Sequence, residues 1–157
     1  MAGNGGAIYL NTEAYILINN TEFQNCKASQ NGGGIYLTGS ANAKIDACKF
    51  IGCTAEQSGG GLIIENTSNL HVQNCNITLC QANDKGGGIA IISSLNSTIE
   101  NCQLTSNTNH SGEGGGIYVG TSLVTISDNL LKENIATQGA GIYSDNSSLN
   151  IINNTII

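Results

Sequence analysis

Six cysteines fall into two series, Cys26, Cys53, Cys80 and Cys48, Cys75, Cys102, and every step within a series is 27 residues. Thiols form disulfides, ligate soft metals or attack electrophiles, and an even number in a secreted chain is usually a sign of disulfides. The spacing points elsewhere. Three is odd, so pairing within a series strands one thiol. If a step of 27 sets one residue over the next in adjacent strands, their Cβ atoms stand ~4.8 Å apart, beyond the ~3.5–4.5 Å of a disulfide. A bond between the series, such as Cys48 to Cys53, stays open. Asn107 and Asn134 continue one series and Asn129 and Asn154 the other. On these grounds the thiols read as small groups packed in ladders rather than as ligands or nucleophiles.

Other side chains with chemical potential are sparse. Asn19, Asp46, Gln73, Glu100 and Ser127 share one repeat position, which places Asp46 and Glu100 about 9.6 Å apart, near the upper limit of the ~6.5–9.5 Å of an inverting glycosidase pair. An uncharged Gln73 lies between them and the chain has no arginine, so a solvated face is the expectation. His71 and His110 occupy different repeat positions with no ligand at metal-binding spacing and read as surface residues. We therefore expect no catalytic residue, no metal and no cofactor. One column is less bland: Tyr9, Tyr36, Ile63, Ala90, Tyr118 and Tyr143 follow the marker residue of each repeat and should face solvent. Tyr9, Tyr36, Ile63, Tyr118 and Tyr143 form a candidate partner-binding stripe, since tyrosine joins apolar area to a polar tip. Its partner would be a glycan or a protein on a host or neighbouring cell; the plainer alternative is a tyrosine cover on a sheet. Seven Asn-x-Ser/Thr sequons begin at Asn19, Asn66, Asn76, Asn96, Asn109, Asn146 and Asn153, relevant only in a eukaryotic secretory context.

The elements that position these groups come from a repeat. The apolar residue after each glycine cluster falls at Ile8, Ile35, Leu62, Ile89, Ile117 and Ile142, with gaps of 27, 27, 27, 28 and 25. Two further columns keep step: Ile18, Ile45, Val72, Ile99, Ile126, Ile151 and Phe23, Phe50, Ile77, Leu104, Leu131, Ile156. The apolar stretches are short, β-branched and broken by Gly, Asn, Ser and Thr, with no helical spacing sustained over ten residues. These properties predict an all-β, single-stranded parallel β-helix, a solenoid of about six coils, ~27 residues per coil and three short strands per coil. Residues 1–157 form a single domain in this reading. Asn20, Ala47, Asn74, Asn101, Asp128 and Asn153 fall between the second and third strands. Asparagine tolerates left-handed backbone geometry, so this column, with Asn20, Asn74, Asn101 and Asn153 as its amide ladder, is the expected sharp turn.

The pairing of Gly5-Gly6-Ala7-Ile8 with Phe23-x-x-Cys26-x-Ala28, Phe50-x-x-Cys53-x-Ala55, Ile77-x-x-Cys80-x-Ala82 and Leu131-x-x-Asn134-x-Ala136 resembles the repeats of the chlamydial polymorphic membrane proteins. Gly replaces Ala in most glycine motifs and Cys replaces Asn in three of the others. The resemblance implies a right-handed helix and the passenger of a surface-exposed adhesin.

Composition excludes several roles. Five lysines against eleven acids give a net charge of −6, which offers no basic surface for nucleic acid. No apolar run reaches the ~20 residues of a membrane span. The chain opens inside a glycine motif and stops in a core strand at Thr155-Ile156-Ile157 without a cap, which suggests a piece of a longer solenoid or a unit that stacks on itself into a filament. The leading expectation is a non-catalytic, structural or adhesive segment at a microbial cell surface or outside the cell. The alternatives are a fragment of a carbohydrate-active lyase or hydrolase and a self-assembling filament subunit.

Overall fold

The computed structural model describes residues 1–157 and contains strands and turns but no helix. The first coil sets the pattern: β1 (Ile8–Asn11), β2 (Ile16–Asn19), β3 (Glu22–Gln24) and β4 (Lys27–Ala28). Each strand pairs in parallel with its counterpart in the next coil, so the chain builds three six-stranded sheets and one four-stranded sheet. Register follows the repeat: Ile8 lies over Ile35, Ile18 over Ile45 and Phe23 over Phe50. The parallel solenoid of about six coils is thus as the spacing predicts, with one addition. A fourth, two-residue strand recurs at Lys27–Ala28, Thr54–Ala55, Gln81–Ala82 and Thr108–Asn109.

Each strand turns alternate residues inward, the period-2 consequence of the pleat. On the second strand of coil two, Ala43 and Ile45 are buried while Lys44 and Asp46 are partly exposed. One core cluster runs up the axis through Ile35, Leu37, Ile45, Phe50 and their equivalents. Burial of each such side chain stabilises the fold by about 1.5–3 kcal/mol relative to exposure. Like stacks on like, and the Phe23 and Phe50 rings lie 4.7 Å apart at 12°.

The corners are as ordered as the sheets. Of 105 backbone hydrogen bonds, 61 lie in turns and loops, so stacking extends around the whole perimeter. Asn20, Ala47, Asn74, Asn101, Asp128 and Asn153 all have φ between 48° and 57°. This left-handed geometry lets the chain turn sharply between its second and third strands, and Asn and Asp enter it at low cost. At the glycine corner Gly32 has φ +67°, and a Cβ on Gly60 would strike the carbonyl oxygen of Gly87 in the next coil. Coils approach too closely there for any side chain.

Candidate functional site

The tyrosine column has the expected register but not the expected exposure. Tyr9, Tyr36, Ile63 and Ala90 follow one another, as do Ala90, Tyr118 and Tyr143. Only Tyr9 is well exposed, at 51%; Ile63 and Ala90 are fully buried and Tyr118 is 4% exposed. Together they form a second, outer hydrophobic cluster flanked by Tyr36, Ile92 and Tyr143. The reason is steric. Large rings stack on either side of smaller residues, Tyr9 on Tyr36 at 5.1 Å and Tyr118 on Tyr143 at 5.7 Å, so Ile63 and Ala90 end up beneath them. Polar contacts pin the cover: the Tyr36 hydroxyl donates to Glu65 Oε2 at 2.6 Å, and the Lys85 ammonium lies 5.5 Å from the Tyr118 ring centroid. Burial, then the Glu65 carboxylate, raises the Tyr36 phenol well above its ordinary range. The middle of the stripe is therefore a small outer core, and its open parts are Tyr9 and the half-buried Tyr36 and Tyr143.

At two corners the cysteines and asparagines form continuous ladders. Residues 48, 75, 102, 129 and 154 follow the turn between the second and third strands, and residues 26, 53, 80, 107 and 134 follow the next turn. All six thiols are unbonded, and all but Cys26 are buried. Asparagine rungs work as two-way clamps. Asn129 Nδ2 donates to the Ile99 carbonyl at 2.9 Å while its Oδ1 accepts the Cys102 N–H at 2.8 Å. Asn107 does the same with Ile77 and Cys80, at 2.9 and 3.0 Å. Thiols imitate this with longer bonds: Cys75 Sγ–H reaches the Gln73 carbonyl at 3.1 Å and the Ile45 carbonyl at 3.6 Å. Cys102 Sγ accepts the Cys75 N–H at 3.4 Å. Hydrogen bonding with Cys102 pushes the Cys75 thiol up to about 12, and that with Cys75, together with burial, raises the Cys48 thiol as well. In the other ladder, hydrogen bonds from Cys80 and then from the Cys26 side draw Cys53 down to about 7.

A third ladder was not anticipated from the spacing. Thr67, Ser94 and Ser122 donate their N–H groups to the hydroxyls of Ser94, Ser122 and Ser147 at 3.2, 3.0 and 2.9 Å. Its signal in the sequence is a Ser or Thr two residues after the first strand of coils two to six, at Ser40, Thr67, Ser94, Ser122 and Ser147.

The acidic column has the register the spacing implies, Asn19, Asp46, Gln73, Glu100, Ser127. Asp46 is engaged: Asn74 Nδ2 donates to it at 2.9 Å and Lys44 Nζ lies at 3.2 Å. The Asn74 bond, ahead of Lys44, holds its carboxyl below the usual range. His71 Nδ1 meets Thr98 Oγ1 at 2.8 Å and His110 Nε2 meets Gln81 Oε1 at 3.3 Å, so the two imidazoles serve separate neighbours. His110 and Gln81 also border a shallow cleft of about 280 Å³ over the fourth sheet, with Lys27, Thr54, Glu56 and Asn83 on its walls. No three His, Cys, Asp or Glu side chains converge on a common metal position. Of the seven sequon asparagines, Asn109 is buried, donating to the Asp84 and Glu113 carbonyls at 2.9 and 2.8 Å.

Parallel coils in register, a single axial core and polar rungs at the corners define a β-helical solenoid. Residues 2–156 match the family described as right handed beta helix region, and the chain belongs to that family. The match supplies the hand of the helix. No curated protein and no solved structure matches the chain significantly.

Proposed function

We propose that this chain is a non-catalytic structural and adhesive segment of a microbial cell-surface protein, a stalk or fibre similar in role to the repeats of the chlamydial polymorphic membrane proteins. One observation carries the reading: the polar side chains with specific geometry are spent on coil-to-coil rungs. Asn107, Asn129 and Ser94 each bond backbone of a neighbouring coil, and Asp46, the best candidate acid, is held by Asn74 and Lys44. Such a molecule delivers reach and rigidity, because rungs on every side resist bending. Its docking groups are Tyr9, the half-exposed Tyr36 and Tyr143, and the polar walls of the fourth-sheet cleft, which suit a glycan or a polar protein surface on a host or neighbouring cell.

Screening the chain on arrays of glycans and cell-surface proteins, alongside a panel of polysaccharide lyase and hydrolase substrates, tests this. Binding without turnover is expected, reduced by Tyr9→Ala or Gln81→Ala and untouched by Glu100→Gln. Turnover abolished by Asp46→Asn or Glu100→Gln would make the protein an enzyme.

A further inference from the structure

Two pairs of tyrosines stack on the outer face of the first sheet, and they differ in a way that packing does not require. Tyr9 and Tyr36 lie 5.1 Å apart with rings 10° from parallel, and Tyr118 and Tyr143 lie 5.7 Å apart at 15°. Of the five tyrosine hydroxyls only that of Tyr36 has a hydrogen-bond partner, Glu65 Oε2 at 2.6 Å. Packing explains a ring over a ring, but not a carboxylate brought from the next coil onto the phenol. The bond is as short as charge-assisted O–H···O⁻ bonds become. Burial and then this bond raise the phenol well above its ordinary range, so the hydroxyl keeps its proton while the ring keeps its electrons. Loss of one electron reverses that preference, because an oxidised phenol is a strong acid and Glu65 stands in place to take the proton. Its stacking neighbour Tyr9 is 51% exposed and sits on β1, which has one neighbour in its sheet, so the Tyr9 ring has room to swing.

We propose that Tyr9 and Tyr36 are a site of oxidative modification, where a haem peroxidase driven by hydrogen peroxide joins the two rings as dityrosine. Each ring loses one electron and its phenolic proton, the Tyr36 proton passing to Glu65 and the Tyr9 proton to solvent. The two phenoxyl radicals form one carbon–carbon bond between ring positions ortho to oxygen, and the hydrogens displaced from those carbons return as protons to the two oxygens. Glu65 then releases its proton to solvent. One hydrogen peroxide takes up the two electrons and two protons and leaves as two waters. The product ties coil one to coil two at an edge strand, where local opening is easiest, and the closed loop constrains the unfolded chain. The second pair lacks both advantages, since no carboxylate accepts the Tyr118 hydroxyl and Tyr118 is 4% exposed.

The full chain at low concentration would be treated with a haem peroxidase and hydrogen peroxide and the monomer isolated by size exclusion. Dityrosine is then read from its blue fluorescence and from tryptic peptides by mass spectrometry. Expected is a monomer two hydrogens lighter, in which the peptide ending at Lys27 is joined to the one ending at Lys44. Tyr15 is also exposed on the first of these peptides, so Tyr15→Phe should keep the link while Tyr9→Phe and Tyr36→Phe each abolish it. Glu65→Gln keeps an acceptor of the same shape but a far weaker base, and should lower the yield at least about fivefold. Circular dichroism of each variant confirms the fold. A link that survives Tyr9→Phe, parental yield in Glu65→Gln, coupling of Tyr118 to Tyr143 as extensive as that of Tyr9 to Tyr36, or dityrosine confined to oligomers would each overturn the proposal. None of these readouts depends on whether the chain binds a glycan or a cell-surface protein.

Discussion

The two halves of each corner ladder occupy the same place in the fold with different chemistry. In coils four to six, Asn107, Asn129, Asn134 and Asn154 tie backbone to backbone through bonds of 2.7–3.0 Å. In the first four coils thiols make the corresponding bonds at 3.3–3.7 Å and add apolar volume to the core. A β-helix corner therefore has two solutions, one directional and one hydrophobic. The difference teaches that the register of a coil is held jointly by its core strand and by its rungs, in proportions that vary along the axis.

Breaking the common element, the core, has the largest effect. Ile99→Asp puts a carboxylate at a fully buried position among Val72 and Ile126 and should cost more than about 4 kcal/mol, abolishing the folded signal in circular dichroism. Asp46→Ser, on the exposed side of the same sheet, should cost about 1 kcal/mol or less in urea unfolding. Next comes the comparison itself. Asn129→Ala leaves the buried Cys102 N–H without its acceptor and removes the side-chain bond to the Ile99 carbonyl and should cost about 2–3 kcal/mol, whereas Cys102→Ala should cost about 1 kcal/mol.

The pH dependence separates the halves further. Cys48 and Cys75 hold their protons more tightly folded than unfolded, where a thiol titrates near 9.0. Stability from this source is complete below that value and is lost as pH rises above it, because the unfolded chain releases these protons first. The urea midpoint should fall above pH 9, and Cys48→Asn with Cys75→Asn should remove part of that fall. The smallest effect concerns Ser97, whose buried hydroxyl has no hydrogen-bond partner. Ser97→Ala should be neutral or stabilising by up to about 1 kcal/mol in the same assay.

Much of this was legible in the sequence because a solenoid writes its contacts at constant separation. The glycine corner, the Ile45 and Phe50 columns and the turn at Asn20 needed only the interval of 27. The fourth strand did not show, because two residues such as Lys27–Ala28 are too short for an alternating pattern. The burial of Tyr118 and Ile63 was also out of reach. Alternation says that a residue points outward, but whether it meets water depends on the bulk of its neighbours in adjacent coils, here the rings of Tyr36 and Tyr143. The distinct strengths of thiol and amide rungs likewise needed coordinates, since both fill the same repeat position.

Through-hydrogen-bond scalar couplings, measured by NMR on a deuterated sample, report the pairing of coils directly. The Gly33 amide should couple to the Gly59 carbonyl, Thr54 to Cys26 and Gln103 to Cys75. Couplings to carbonyls three or four residues away, or to partners offset by several residues from these, would contradict the stacked-coil account.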